Sequence, residues 1–119
     1  MSDRTNSQNA FMIEYITRFK VKYQKEITNM EQAPLKPPFY QTMQLGRARR
    51  VVEAANIILS LGPNAMNENR EEFEKQRTIV FSNNLAFRIT ERQIRESTAQ
   101  CSQLLNHLQM QKMRMIHHR

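Results

Sequence analysis

The chain of 119 residues has no tryptophan, one cysteine, two glycines and four prolines. Its lone thiol, Cys101, can form no internal disulfide, and a reducing compartment is the simplest setting for it. Two glycines cannot supply a glycine-rich phosphate loop. No stretch approaches the roughly 18 consecutive apolar residues of a membrane-spanning helix. The most apolar run, VVEAANIILSL at 51–61, is shorter and carries Glu53. The opening MSDRTNSQNA has no apolar core, so no secretory signal is expected, and Asp3 beside Arg4 argues against a transit peptide. An intracellular protein is expected, in the cytoplasm, the nucleus or an organelle.

Groups that do chemistry are equally scarce. His107, His117 and His118 are the only histidines. His117 and His118 are neighbours and cannot share a helix face, and Cys101 stands six residues from His107, a poor match for joint metal binding on a helix. Glu71 and Glu72 could pair for acid–base work, but glutamates at a helix start are accounted for by the positive end of the helix dipole. No catalytic residue, metal ligand, cofactor or small-molecule substrate is expected, and the chain reads as a non-enzyme.

What remains is helix-forming material. Charged residues make up 24% and apolar residues 39%; with a mean hydropathy of −0.70, a single chain would have a thin core. Apart from Gly46, the breakers are grouped at 34–38 and 62–63, and they separate three helical segments; a short flexible N-terminus (1–7) and one helical domain (8–119) are expected. The first helix is expected at about 8–31, where Met12, Ile16, Phe19, Tyr23, Ile27 and Met30 step by three or four and Ser7 is a candidate N-cap. Pro34, Pro37 and Pro38 make 32–38 an extended connector. PLKPP also resembles a ligand for an aromatic-lined groove, although a stiff link is the simpler role.

The second helix is expected at about 38–61, with Val51, Val52, Ala55, Ile58, Leu59 and Leu61 on its apolar face and Met43 and Ala48 before them. Gly46 interrupts it, either at a cost in propensity or to admit a close neighbour. Gly62 and Pro63 close it. The third helix is expected from about 65 to 116, with Asn64 and Asn67 as candidate caps. No Gly or Pro follows Pro63, and about fifty helical residues would measure about 75 Å.

This third segment carries a strict repeat. Phe73, Val80, Phe87, Ile94, Cys101, Leu108 and Met115 are spaced by seven. A two-stranded coiled coil also wants apolar residues three or four places further on. Those places hold Gln76, Asn83, Thr90 and Ser97, then Leu104. A second apolar stripe, Ile79, Phe81, Leu85 and Ile89, widens the face around 79–94. The first half of the helix is therefore expected to pack on its own chain, and Cys101, Leu104, Leu105, Leu108, Met113 and Met115 to contact another. The predicted fold is all-α: a helical hairpin followed by a long C-terminal helix with coiled-coil-like heptad spacing.

A net charge of +7 and an isoelectric point near 10.1 suit an acidic partner or a phosphate backbone. Arg88, Arg92 and Arg95 fall on one helical face, as do Arg18, Lys22 and Lys25, while Arg47 and Arg50 share another. The sequence supports two functional readings. The first is a non-catalytic scaffold or adaptor subunit that assembles, with itself or a protein partner, through its third helix. The alternative is an RNA-binding helical dimer whose basic faces grip double-stranded RNA by shape.

Overall fold

The computed structural model describes the backbone of residues 2–117 and the side-chain surroundings of residues 7–115. The described residues are helical apart from short connections, in the order α1 (Ser2–Gln32), α2 (Pro38–Ser60), α3 (Ala65–Glu68) and α4 (Arg70–His117). The fold is all-α, a hairpin of α1 and α2 followed by a long C-terminal helix. The chain divides into two compact units, Met1–Phe87 and Arg88–Arg119.

The first unit is a three-helix bundle. The first-helix stripe packs inward: Ile16, Tyr23 and Met30 are buried, and Met12, Phe19 and Ile27 are half-buried against them. Asn9, Ile16, Tyr23 and Met30 are buried at intervals of seven. Gln44, Val51 and Ile58 do the same in α2, and Phe73, Val80 and Phe87 in α4. Shared seven-residue spacing lets all three helices keep one face toward a common axis. Ala48, Ala54 and Ala55 are buried on α2; α2 packs closely on α1, and Ala54 lines the groove between α2 and α4. Between α1 and α4 the spacers are rings. Phe19 meets Phe81 edge-on at 5.6 Å and Tyr23 meets Phe87 edge-on at 5.1 Å, so the two helices run in the same direction.

Three side chains make polar bonds across the helices of this bundle. The Tyr23 hydroxyl donates to Asn84 Oδ1 at 2.6 Å. Gln44 Nε2 donates to the Phe87 carbonyl at 2.9 Å. Arg47 Nη1 donates to Gln44 Oε1 at 3.0 Å and to the Ala86 carbonyl at 3.2 Å. The polar seam positions behave differently. Gln76 is buried but donates to Glu72 of its own helix, and half-buried Asn83 donates to the Ile79 carbonyl. Thr90 is buried and Ser97 exposed. The inter-helix polar bond from α1 to α4 therefore runs through Asn84, four residues after Val80, rather than through Asn83 at the three-residue place.

The connections obey their turn chemistry. Pro37 is extended (φ −69°, ψ 163°), Pro38 opens α2, and the Lys36–Pro37 bond is cis. Gln41 ties this link to the hairpin: its Oε1 accepts from the Leu35 N–H at 2.9 Å and its Nε2 donates to the Met30 carbonyl at 3.0 Å. That carbonyl lies in the last turn of α1, where helices leave acceptors unpaired. Gly62, at φ 96°, closes the turn after α2.

Two boundaries depart from the sequence reading. The first helix starts at Ser2, so Ser7 is an internal residue rather than its cap, and the expected flexible 1–7 is helical from Ser2. The third helix is broken at Asn69 (φ −131°, ψ 45°), leaving a one-turn α3. The Asn69 carbonyl accepts from the Phe73 N–H at 2.9 Å, and Asn67 lies within α3 rather than capping α4. Gly46 also has no close neighbour, since a Cβ built there meets nothing within 4 Å.

Gly46→Ala is therefore expected to stabilise the chain by about 0.5–1 kcal/mol through propensity alone. Gly62→Ala should destabilise it by about 1 kcal/mol, because its φ is left-handed. Urea unfolding followed by circular dichroism measures both. In the same assay Tyr23→Phe is expected to cost about 1–3 kcal/mol, by leaving the buried Asn84 oxygen without its donor.

Candidate functional site

In the second unit, Thr90 is buried, Glu91 and Ile94 are half-buried, and every residue from Arg95 to Met115 is exposed. The seven-residue clock thus passes from interior to surface: Phe73, Val80 and Phe87 are buried, Ile94 is intermediate, and Cys101, Leu108 and Met115 lie open. Leu104, Leu105 and Leu108 are 58%, 59% and 51% exposed, and Met115 is 74% exposed.

Helical geometry decides which of the expected contact residues belong together. At roughly 100° per residue, Cys101, Leu104, Leu105, Leu108 and Met115 fall within a stripe about 100° wide. Met113 sits roughly 120° round from Cys101, and Met110 on the opposite side. Met113 is therefore set apart from the group with which the sequence reading placed it. Lys112 is the one charged residue inside the stripe. Local bonds along the helix join Thr98 to the Ile94 carbonyl (2.9 Å) and Gln111 to His107 (3.1 Å); none engages the leucines.

Arg88, Arg92 and Arg95 are exposed and lie on the side of the helix away from this stripe. Arg92 faces Glu96 at 3.8 Å, with both side chains well solvated. In the first unit, Arg18 pairs with Glu14 at 2.7 Å. Arg18, Lys22 and Lys25 border one shallow surface groove on α1, which Glu14 and Glu26 also line. Arg50 lines a different groove, between α2 and α4, with Glu53 and Lys75. Arg47 is half-buried and turned into the bundle by its bonds to Gln44 and Ala86. The basic residues of α1 and α2 thus divide between separate grooves, each containing carboxylates, and Arg47 is held inward rather than presented to a ligand.

Sequence reasoning passed over one feature of the first unit. Phe11 stacks on Tyr15 (6.2 Å, 11° between planes), Tyr15 meets Phe19 at 4.9 Å, and both Tyr15 and Phe19 contact Phe81. Phe11, at one end of this row, and Leu85 on α4 are largely exposed. The signal was the spacing by four of Phe11 and Tyr15 with Phe19, of which only Phe19 belonged to the counted stripe. Among the described residues no three His, Cys, Asp or Glu side chains gather as a metal site would require. No helix among them is long and apolar enough to cross a membrane.

No family model matches the chain, and neither the curated proteins nor the solved structures searched provide a significant match.

Proposed function

We propose that this protein is a non-catalytic helical assembly subunit that joins another polypeptide chain through the Cys101–Met115 stripe of α4. The observation that carries this reading is the exposure of Leu104, Leu105, Leu108 and Met115 on one helical face. Full burial of a leucine side chain is worth about 1.5–3 kcal/mol, so covering three of them drives association. A solitary helix also holds together poorly in water, because its stability comes mainly from packing an apolar face. The first unit supports the same division of labour: its own repeat is filled by α1 and α2, and it serves as the folded base of the subunit.

A second role, contact with RNA, rests on Arg88, Arg92 and Arg95, which are exposed on the side away from the apolar stripe. One face would then hold protein and the other phosphate. Such binding weakens steeply with salt, in proportion to the phosphates contacted.

Light scattering after size exclusion, at low and high salt, tests the assembly role. A mass above the 14.2 kDa of one chain is expected. Leu104→Asp or Leu108→Asp should return it to a single chain while keeping most of the helical circular dichroism. A mass unchanged by these substitutions would remove the stripe from the interface. For the RNA role, nucleic acid should co-purify at low salt and be released at high salt. Reversing the charges of Arg88, Arg92 and Arg95 to glutamate should reduce double-stranded RNA binding at least tenfold; unaltered binding, or none in the parent chain, would discard that role.

A further inference from the structure

We propose that the partner of the α4 stripe is a second copy of this chain, laid antiparallel over residues 97–115. This rests on the assembly reading above and adds the partner's identity and orientation.

The first argument is charge. Residues 97–111, STAQCSQLLNHLQMQ, contain no Asp, Glu, Lys or Arg, although the whole chain carries +7. An acidic protein or a nucleic acid, the partners that net charge attracts, finds cations on the proposed contact only in its last turn, at Lys112 and Arg114. A second copy of a strongly basic chain meets the opposite situation. Association would be opposed by like charges nearly everywhere else, and the uncharged segment is where two copies can touch without that penalty.

The second argument is register. In seven-residue notation Cys101, Leu108 and Met115 are a positions, while Ser97, Leu104 and Gln111 are d positions. Antiparallel helices set a against d. Leu104 of each copy then lies opposite Leu108 of the other, giving two adjacent leucine layers at the centre, with Leu105 of both copies flanking them. Cys101 faces Gln111, and Met115 faces Ser97, so each polar d residue meets a soft sulfur-bearing side chain rather than its own copy. A parallel, in-register pair would instead stack Gln111 on Gln111 and Ser97 on Ser97.

Flanking positions favour the same choice, since charges beside the seam set helix orientation. Lys112 and Arg114 occupy the two flanks of the last turn. In a parallel pair, four cations gather at one end. In the antiparallel pair, each end holds two, and Lys112 stands across from Thr98 and Arg114 across from Gln100. The arrangement is two-fold symmetric and closes on itself as a dimer.

Cys101 supplies the test. In the antiparallel register the two Cys101 residues are offset by ten positions, roughly 15 Å along the axis. A disulfide needs Cα atoms within about 7 Å. The full chain, at a concentration where light scattering reports its mass, is oxidised with diamide beside the Gln111→Cys variant. That variant places a thiol across from Cys101 of the other copy. At least tenfold more disulfide-linked dimer is expected in the variant than in the parent, with peptide mapping showing Cys101 joined to the introduced cysteine. Adding Leu108→Asp should abolish it.

Efficient Cys101–Cys101 linkage in a parent chain of doubled mass would overturn the antiparallel register and leave the assembly reading standing. Doubled mass with neither protein cross-linking would overturn it too, by moving the contact off this segment. A parent chain that is monomeric alone would overturn self-pairing as such. The assembly reading would then survive only if a different protein bound in a Leu104-dependent way.

Discussion

The first unit turns on one buried residue. Tyr23 places its ring against Phe87 and its hydroxyl on Asn84, so α1 is fixed to α4 both by an apolar contact and by a directional one. The apolar contact alone would tolerate sliding; the hydrogen bond does not, because a shift by one turn would strand a phenol and an amide in the core. Gln44, reaching the Phe87 carbonyl from α2, pins the third helix at the same level. The aromatic spacers between α1 and α4 and the alanines of α2 then follow as the side-chain sizes that fit around this polar level.

The same seven-residue repeat does two jobs along α4. From Phe73 to Phe87 it is covered by the chain's own helices and adds to the core. From Cys101 to Met115 it is exposed. The repeat residues themselves do not mark the change, since Leu108 is no less apolar than Val80; the second apolar stripe of Ile79, Phe81, Leu85 and Ile89 beside the first half does. What differs is whether another helix covers the face. In the proposed assembly role, function resides in this incomplete packing arrangement, and residues 97–111 leave the exposed stretch polar but without Asp, Glu, Lys or Arg.

The basic character of the chain is spread over its surface. Arg18 and Arg92 stand by glutamates one helical turn away, Arg47 is turned inward, and Arg50 shares a groove with Glu53. Exposed pairs of this kind contribute little individually. Together the unbalanced cations produce a positive field, which governs which surfaces can approach one another. In the proposed pairing, two copies meet on the segment 97–111, which holds none of these charges.

Much of this architecture was legible in the residues. The stripe from Met12 to Met30, the prolines of the connector, Gly62 and the strict repeat from Phe73 to Met115 are short-range patterns, and short-range sterics and periodicity suffice to place helices and their ends. Other features needed three dimensions. Helix α1 continues back to Ser2 although its first residues are polar, α4 is separated from α3 by a bend at Asn69, and Gly46 has no close neighbour. Tyr23 and Asn84 are 61 positions apart, and no local pattern links them. The sequence by itself determined the helical class and the uncharged stretch at 97–111, because these follow from composition and spacing. The division of the repeat into core and surface was foreshadowed by the wider apolar face at 79–94; only the tertiary structure decided which residues cover it, Tyr23 on Asn84 and Gln44 on Phe87, because such partners lie far apart in the chain.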